Sequence, residues 1–178
     1  LLCHRYFMRS LGWGIITAAT IYLASLVLPE NETPWIAFFI IMLYTLMEID
    51  KRMLLLPDIL TVPLLIAGFS YAVFAGGMLG YEPAASAANS ALGAAAGYVI
   101  PVIASLFLIK KYPEAFGGGD IKLLSAVGSW VGLTNIPYVI LLSCLLFAVS
   151  CFINKQRQGA FGPSIVIASL IILFLSEY

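Results

Sequence analysis

The stretch FGGGDIKLLSAVGSWVG, residues 116–132, decides how the rest of the chain is interpreted. Three glycines lead into Asp120, and an apolar, helix-like run follows directly. An acidic residue at the start of a membrane segment is costly and is therefore a functional candidate. Glycine permits close backbone approach and unusual dihedral angles, which a site gripping an extended peptide requires. The alternative role of Asp120 is to cap the helix that it opens, because a helix N-terminus stabilises negative charge.

The composition is that of a membrane protein. The chain has 178 residues, of which 62% are hydrophobic and 10% charged, and its mean hydropathy is +1.02. Soluble domains carry roughly 25% charged residues. The formal net charge is zero, so nothing points to nucleic acid as a partner. We therefore expect an all-α polytopic membrane protein in a lipid bilayer, with residues 1–178 forming a single membrane-embedded domain.

Apolar runs divide the chain into predicted membrane helices, each of which needs roughly 20 residues to cross a bilayer. Six such runs are residues 11–29, 34–49, 59–79, 86–109, 136–153 and 163–176. A further run, residues 121–133, reaches only about 20 Å as a helix, short of the ~30 Å hydrocarbon core. This short run is predicted to be a helix that starts inside the membrane or a re-entrant piece.

The charged residues between these runs predict the topology. All lysines and arginines lie at alternate ends of the runs, on one side of the membrane. The opposite side is acidic and holds Glu30, Glu32, Glu82 and Glu177. By the positive-inside rule the basic side is cytoplasmic. Lys155 and Arg157 remain on that side only if the short run also crosses, so the sequence predicts about seven transmembrane helices, one of them short.

Acidic residues also lie at or near the predicted cytoplasmic helix ends. They are Glu48, Asp50, Asp58, Glu114 and Asp120. We expect Glu48 and Glu114 to be solvated or interfacial. Asp58 follows Pro57 and precedes an apolar run, which is typical of a helix cap.

Asp50 lies at a helix C-terminus, where the helix dipole disfavours a carboxylate. Such a misfit requires either a function or a compensating partner, and Lys51 and Arg52 are the candidate ion-pair partners. Asp50 and Asp120 are predicted to lie at the same membrane face on separate helices. Two carboxylates brought close cannot both ionise, so one of them holds a proton at neutral pH.

Such a pair has the chemistry of an aspartic protease. The ionised carboxylate can activate a water molecule as a general base, and the protonated one can polarise a carbonyl group. This chemistry requires neither a metal nor a cofactor, and we expect neither. The sequence provides two indications that the carboxylates meet: they are predicted to lie at the same depth in the membrane, and the glycines at residues 117–119 directly precede Asp120.

Two small-residue motifs predict close helix packing. GAAAG spans residues 93–97, and GSWVG spans residues 128–132. Small residues four positions apart let two helix backbones approach each other. We expect these motifs to pack helices within the chain and not to form a dimer.

The segments around the two aspartates resemble the bacterial type IV prepilin peptidases, which are membrane aspartyl proteases of the GxGD type. EIDKRMLLLPDILTVPLLIAGF, residues 48–69, is similar to the first aspartate segment of that family. FGGGDIKLLSAVGSWVG is similar to its GxGD segment, and FGPSIVIASL, residues 161–170, to its C-terminal helix. The three segments follow in the family's order and spacing, and the resemblance spans nearly the whole chain.

The resemblance implies that Asp50 and Asp120 are the catalytic pair of an aspartic endopeptidase. It implies removal of the basic leader peptide from prepilins or pseudopilins, in pilus biogenesis or type II secretion. Cleavage would occur at the cytoplasmic face of the bacterial inner membrane. The predicted substrate-binding residues are Gly117, Gly118, Gly119, Lys122 and Asp58. For the basic side chains at this face, interfacial anchoring is the alternative to substrate binding.

The chain departs from many family members in one respect. Those members carry a cytoplasmic domain with paired CxxC motifs that bind zinc, and they methylate the new N-terminal amine. This chain has no CxxC. It resembles the catalytic membrane part that follows that domain, or a short member without it. We therefore predict neither zinc binding nor methyltransferase activity for these residues.

Three alternatives remain beside this interpretation. The first is another GxGD protease, such as a preflagellin peptidase or a presenilin-like enzyme, although FGPS is not the PAL motif of presenilins. The second is a proton-coupled transporter, which would show internal repeats that are not evident in this sequence. The third is a structural membrane subunit with capped helices, which leaves the GGGD segment unexplained.

Overall fold

The computed structural model describes residues 2–27, 30–76, 82–108, 117–154 and 159–175, and every regular element within these ranges is an α-helix. The helices are α1 (Leu2–Val27), α2 (Thr33–Met53), α3 (Asp58–Ala75), α4 (Pro83–Leu108), α5 (Gly118–Asn154) and α6 (Gly162–Leu175). The prediction of an all-α chain is confirmed for the described residues.

The helices are those of a multi-pass membrane protein. By length and composition, α2, α3, α4 and α5 can each cross a bilayer, and the described residues also contain shorter apolar helices at Gly12–Leu26 and Gly162–Leu175. Large apolar side chains point outward along the helices; Phe74, Phe107 and Phe152 are each at least 80% exposed. Exposure of so much apolar surface is favourable in contact with lipid and unfavourable in contact with water. The prediction of about seven crossings stays a prediction.

The connection between α2 and α3 is a tight turn over residues 54–57. Leu54 has a left-handed backbone (φ 51°), and its N–H donates to the carbonyl of Asp50 at 2.9 Å, which closes the last turn of α2. Pro57 then occupies the N-cap position of α3 in an extended conformation. A proline disfavours helix in the residue before it, so the chain leaves α2 cleanly before α3 begins.

Helix α5 is interrupted at Gly132. Its backbone angles there (φ 76°, ψ 175°) are accessible to glycine almost alone. In a continuous helix the Leu133 N–H would donate to the Ser129 carbonyl. Instead, the Leu133 N–H donates to the Asn89 side-chain oxygen (3.0 Å), and the Ser129 carbonyl accepts the Ser90 hydroxyl (2.7 Å). Two neighbouring side chains of α4 thus satisfy both backbone groups at the break.

The interruption bends α5 sharply. As a straight helix its 37 residues would extend about 55 Å. The segment from residue 154 to residue 162 spans at most ~29 Å. Yet the Gly162 nitrogen lies 2.8 Å from Asp50, which lines the same cavity as Asp120 in the first turn of α5. If α5 were straight, the chain after residue 154 could not return to the cavity at the other end of the helix. The apolar runs predicted at residues 121–133 and 136–153 are therefore separate helical segments.

The two glycine motifs pack α4 against α5. A Cβ atom on Gly93 would overlap the Gly128 carbonyl oxygen, and one on Gly128 would overlap the Gly93 carbonyl oxygen. A Cβ on Gly97 would overlap the Leu124 carbonyl oxygen. The Ser125 hydroxyl adds a hydrogen bond of 2.9 Å to the Ala94 carbonyl. The predicted packing within the chain is therefore confirmed.

An aromatic cluster joins α2, α3 and the first segment of α5. The Trp130 ring stacks with Phe39 of α2 (centroids 4.6 Å apart) and Tyr71 of α3 (5.4 Å). Its indole N–H donates to the carbonyl of Leu64 at 2.8 Å. All of these rings are buried. Because Asp50 lies on α2 and Asp120 on α5, this cluster holds the two helices that carry the candidate catalytic carboxylates in fixed relative positions.

Candidate active site

A cavity of about 550 Å³ opens where α2 ends and where α3 and α5 begin. Its lining consists of Asp50, Leu54, Leu55, Leu56, Pro57, Asp58, Gly117, Gly118, Gly119, Asp120 and Lys122. The structure thus brings every residue that the sequence predicted for the site into one cavity. Asp50 and Asp120 both line this cavity, while their position at one membrane face and their individual roles stay predictions.

Asp50 is buried, with 5% of its surface exposed, and is held by the start of α6. Its Oδ2 accepts a hydrogen bond of 2.8 Å from the backbone N–H of Gly162, the first residue of that helix. The first N–H groups of a helix have no partner within the helix. Asp50 supplies that partner from another helix, so its carboxylate serves as a cap for α6 while it faces the cavity.

The basic neighbours of Asp50 are engaged elsewhere. Arg52 Nε donates to the Glu48 carboxylate at 2.8 Å, one helical turn away. The Lys51 ammonium lies 4.7 Å from the ring centroid of Trp13, a cation–π contact. The alternative that Asp50 is present to pair with Lys51 or Arg52 is therefore wrong.

Asp120 combines a capping role with its place in the cavity. Its Oδ2 accepts a hydrogen bond of 3.2 Å from the N–H of Gly117, and its own N–H donates to the Gly117 carbonyl at 3.0 Å. A carboxylate in the first turn that reaches back to the residue before the helix is one half of a capping box. The geometry confirms the capping role suggested by the sequence and leaves the second oxygen, Oδ1, for other contacts.

The three glycines before Asp120 are required to different degrees. A Cβ atom on Gly119 would lie 2.9 Å from the Leu56 Cβ, so only glycine lets the α2–α3 turn pack against the start of α5. A Cβ on Gly118 would meet nothing within 4 Å. Among the described residues only Gly76 and Gly132 are glycines with positive φ. The expected unusual dihedrals at Gly117–Gly119 are therefore wrong, whereas the expected close approach is confirmed at Gly119.

Asp58 does not cap α3. It is the first residue of the helix, Pro57 holds the N-cap position, and the N-cap makes no side-chain hydrogen bond. Both carboxylate oxygens of Asp58 instead accept from Lys122 Nζ, at 2.7 and 2.8 Å. The capping prediction is wrong because the side chain turns toward a cation on α5. The two polar side chains predicted to bind substrate thus pair with each other at the edge of the cavity.

We expect the Asp58–Lys122 ion pair to add little to stability. Both side chains are about half exposed (61% and 48%), and exposed pairs contribute about 0–1 kcal/mol. A double-mutant cycle with Asp58→Asn and Lys122→Gln, read by thermal unfolding in detergent, should give a coupling below ~1 kcal/mol that falls as salt rises. The Glu48→Gln and Arg52→Gln cycle is the matched control. A coupling above ~2 kcal/mol would contradict this expectation and indicate a desolvated pair.

The two aspartates are arranged alike. Each carboxylate is held through Oδ2 by one backbone N–H at a helix start. Among the residues described by the structure, neither Oδ1 has a hydrogen-bond partner. The two carboxyl groups line one cavity and repel each other when both are charged. The backbone N–H favours the ionised form of the carboxylate that it contacts, and Oδ1 of each carboxyl stays available for other contacts.

The residue that holds the Asp50 carboxylate was not identified from the sequence, and neither were the lining residues Leu54, Leu55, Leu56 and Pro57. Gly162 received no role there, although it belongs to the FGPS segment that carries the family resemblance. The signal in the sequence that could have identified it is a glycine directly before Pro163 at the start of the last apolar run.

Within the described ranges, no group of three or more His, Cys, Asp or Glu side chains is placed to hold a metal ion.

Comparison with known proteins places these residues in a family context. Residues 37–152 match the type IV leader peptidase family. The prepilin leader peptidase/N-methyltransferase of Vibrio cholerae serotype O1 is 30% identical over 181 residues, which cover 95% of this chain and 65% of that protein. The protein of the same name from Aeromonas salmonicida is 34% identical over 176 residues, covering 93% of this chain and 51% of the relative.

A relative from Xanthomonas campestris pv. campestris, also named prepilin leader peptidase/N-methyltransferase, is 42% identical over 135 residues, covering 71% of this chain and 44% of the relative. The chain therefore spans about two thirds of the length of the Vibrio relative and about half or less of the other two. No solved structure shows a significant match.

Proposed function

Because the chain belongs to the type IV leader peptidase family, we propose that it is an aspartic endopeptidase that removes the basic leader of type IV prepilins or pseudopilins, with Asp50 and Asp120 as its catalytic pair. One observation carries the proposal. Two carboxylates from separate helices line one cavity, and each is anchored by a single backbone N–H through one oxygen. General acid–base hydrolysis of a peptide bond needs one group that accepts a proton and one that donates a proton, and two carboxyl groups can supply both.

The proposed reaction shares one proton between the two carboxyl groups. The ionised carboxylate takes a proton from a water molecule, whose oxygen forms a bond to the scissile carbonyl carbon. The protonated carboxyl donates to the carbonyl oxygen at the same time. In the second step the tetrahedral intermediate collapses and the C–N bond breaks. The proton removed from water passes to the leaving amine, and the re-forming carbonyl group returns its proton to the carboxylate that donated it, which restores the starting state of the pair. The repulsion between Asp50 and Asp120 favours the state with one proton.

The glycine segment offers a surface for an extended substrate. Gly117 and Gly118 are exposed, and no atom would meet a side chain at Gly118 within 4 Å. The first turn of α5 has backbone N–H groups without intrahelical partners. The carbonyl groups of an extended leader peptide lying across this turn would accept those hydrogen bonds. The apolar helix of the substrate would then remain in the bilayer beside the cavity.

The proposed orientation places the cavity at the cytoplasmic face of the bacterial inner membrane. Lys51, Arg52 and Lys122 all lie at the helix ends that surround the cavity, and basic residues favour the cytoplasmic side. A leader that carries positive charge would also remain on that side. This location gives the enzyme access to newly made precursors in pilus biogenesis or type II secretion.

The proposed function is tested by cleavage of a defined precursor. The intact chain is co-expressed with a prepilin whose leader is basic. In a second experiment the same prepilin carries a bulky residue in place of the glycine that, as the family resemblance implies, precedes the cleaved bond. We expect the first precursor to lose its leader and the second to stay uncut, as judged by the mass of the mature N-terminus. A preflagellin serves as the second substrate. Preferential cleavage of the preflagellin, or no cleavage by a correctly inserted chain, would contradict the proposal.

A further inference from the structure

The start of α6 is built around the Asp50 carboxylate. The N–H groups of Ser164 and Ile165 donate to the Phe161 carbonyl at 3.0 and 3.2 Å, and Pro163 has no N–H. In this turn, therefore, the Gly162 N–H is the group that donates to a different helix. It donates to Asp50 Oδ2 of α2 at 2.8 Å. Both residues of this contact are buried.

The space beside Gly162 is filled by the same carboxylate. A Cβ atom on Gly162 would lie 2.5 Å from Asp50 Oδ2, 3.0 Å from its Cγ and 3.1 Å from its Cβ. All three of these nearest atoms belong to Asp50, so any side chain at residue 162 must displace that carboxylate. Gly159, in the same connecting segment, differs: its nearest atom would be a Phe147 ring carbon at 3.8 Å, an ordinary contact.

The helix that carries Gly162 is itself well anchored. Its inward face is fully buried at Ile165, Val166, Ala168 and Leu173. Before the helix, Phe161 packs edge-to-face on Phe147, with ring centroids 5.2 Å apart. The donor N–H is therefore held in place by packing that does not depend on Asp50. A functional group supported by such a rigid neighbour is preorganised and does not need to be ordered during the reaction.

We propose that Gly162 is a positioning residue for the proposed reaction: its N–H and its lack of a side chain hold the Asp50 carboxyl with Oδ1 directed to the cavity that it shares with Asp120. The inference rests on the proposed function, in which Asp50 is catalytic. Gly162 itself touches neither substrate nor the reacting atoms. A displacement of a catalytic group by about 1 Å can lower a rate about 100-fold.

The test compares Gly162→Ala with Gly159→Ala in the full chain, using leader cleavage of the prepilin. We expect Gly162→Ala to lower kcat about 100-fold with KM changed less than about threefold, since the substrate surface on α5 is untouched. Gly159→Ala should cleave at the wild-type rate. Leu173→Ala removes buried atoms near the far end of α6; it should lower the thermal stability and leave the rate per folded molecule unchanged.

A second readout does not depend on cleavage. Modification of Asp50 by a membrane-permeant carbodiimide, followed by mass spectrometry, should rise severalfold in Gly162→Ala and stay at the wild-type level in Gly159→Ala and Leu173→Ala. Unchanged modification in Gly162→Ala, or an unchanged kcat in a chain that cleaves, overturns the positioning role. If the wild-type chain cleaves nothing but Gly162→Ala still exposes Asp50, the proposed function fails and the positioning of Asp50 by Gly162 stands.

Discussion

Asp50→Asn and Asp120→Asn are each expected to lower leader cleavage by about 10²–10⁴-fold, the range associated with loss of a general acid or base. The chain should nevertheless insert and fold normally. Asparagine keeps a side-chain oxygen in the same place, so the N–H groups of Gly162 and Gly117 retain their acceptors. Only the titratable proton is lost. The substitution therefore separates the capping role of each aspartate from its chemistry.

The measurement is the initial rate of precursor cleavage, together with thermal unfolding of each purified variant in detergent. Glu48→Gln is the matched control, because it removes a carboxylate from the same helix turn as Asp50 but outside the cavity lining. It should retain the wild-type rate. The double variant of Asp50 and Asp120 should be no slower than either single variant, since residues that act as one unit are non-additive.

A specific result would contradict the dyad. If either single variant cleaves at the normal rate, that aspartate serves only as a helix cap and the shared-proton mechanism is wrong. Asp58 would then be the next residue to test, because it lines the same cavity and lies on a third helix. If both variants fail to insert, the carboxylates are needed for folding, which is not expected from their retained hydrogen bonds.

Gly128→Ala is expected to destabilise the fold by about 1–3 kcal/mol, and Gly128→Leu by more, because α4 and α5 touch through their backbones at this point. A Cβ on Gly128 would overlap the carbonyl group of Gly93, and a backbone carbonyl within a helix cannot rotate away as a side chain can. The two helices must therefore separate. Asp120 lies in the first turn of the same segment of α5. Separation of α4 from α5 should therefore also displace Asp120 and reduce cleavage.

Thermal unfolding in detergent measures the effect, and Gly12→Ala provides a matched control. A Cβ on Gly12 would meet nothing within 4 Å, so this substitution should leave the unfolding temperature nearly unchanged. The oligomeric state of both variants should equal that of the wild type, since the glycine motif packs within the chain. A Gly128→Ala variant with normal stability but altered self-association would show that this motif serves a contact between two copies.

Local patterns in the sequence were sufficient for the class of protein and for the charged residues and glycines of the cavity, but not for its lining residues Leu54, Leu55, Leu56 and Pro57. Hydropathy predicts membrane helices because lipid exposure depends mainly on the composition of each segment. The spacing of Gly93, Gly97, Gly128 and Gly132 predicts close packing because it describes one face of each helix. Asp50 and Asp120 are recognisable because a carboxylate in such apolar surroundings has few structural reasons to be present. Each of these inferences needs information from one helix at a time.

The partners of the site residues were decided only by the tertiary structure. Asp58 was predicted to cap its own helix, yet it binds Lys122 of α5. Ion pairing with its chain neighbours was the alternative role for Asp50, yet its carboxylate accepts the N–H of Gly162, far along the sequence on α6. Hydrogen bonds and ion pairs depend on distances of about 3 Å between particular atoms, and local periodicity carries no information about which helix ends meet. The sequence by itself therefore determined a membrane protein with a pair of exceptional carboxylates, and the packing of α2, α5 and α6 alone decided how those carboxylates are held.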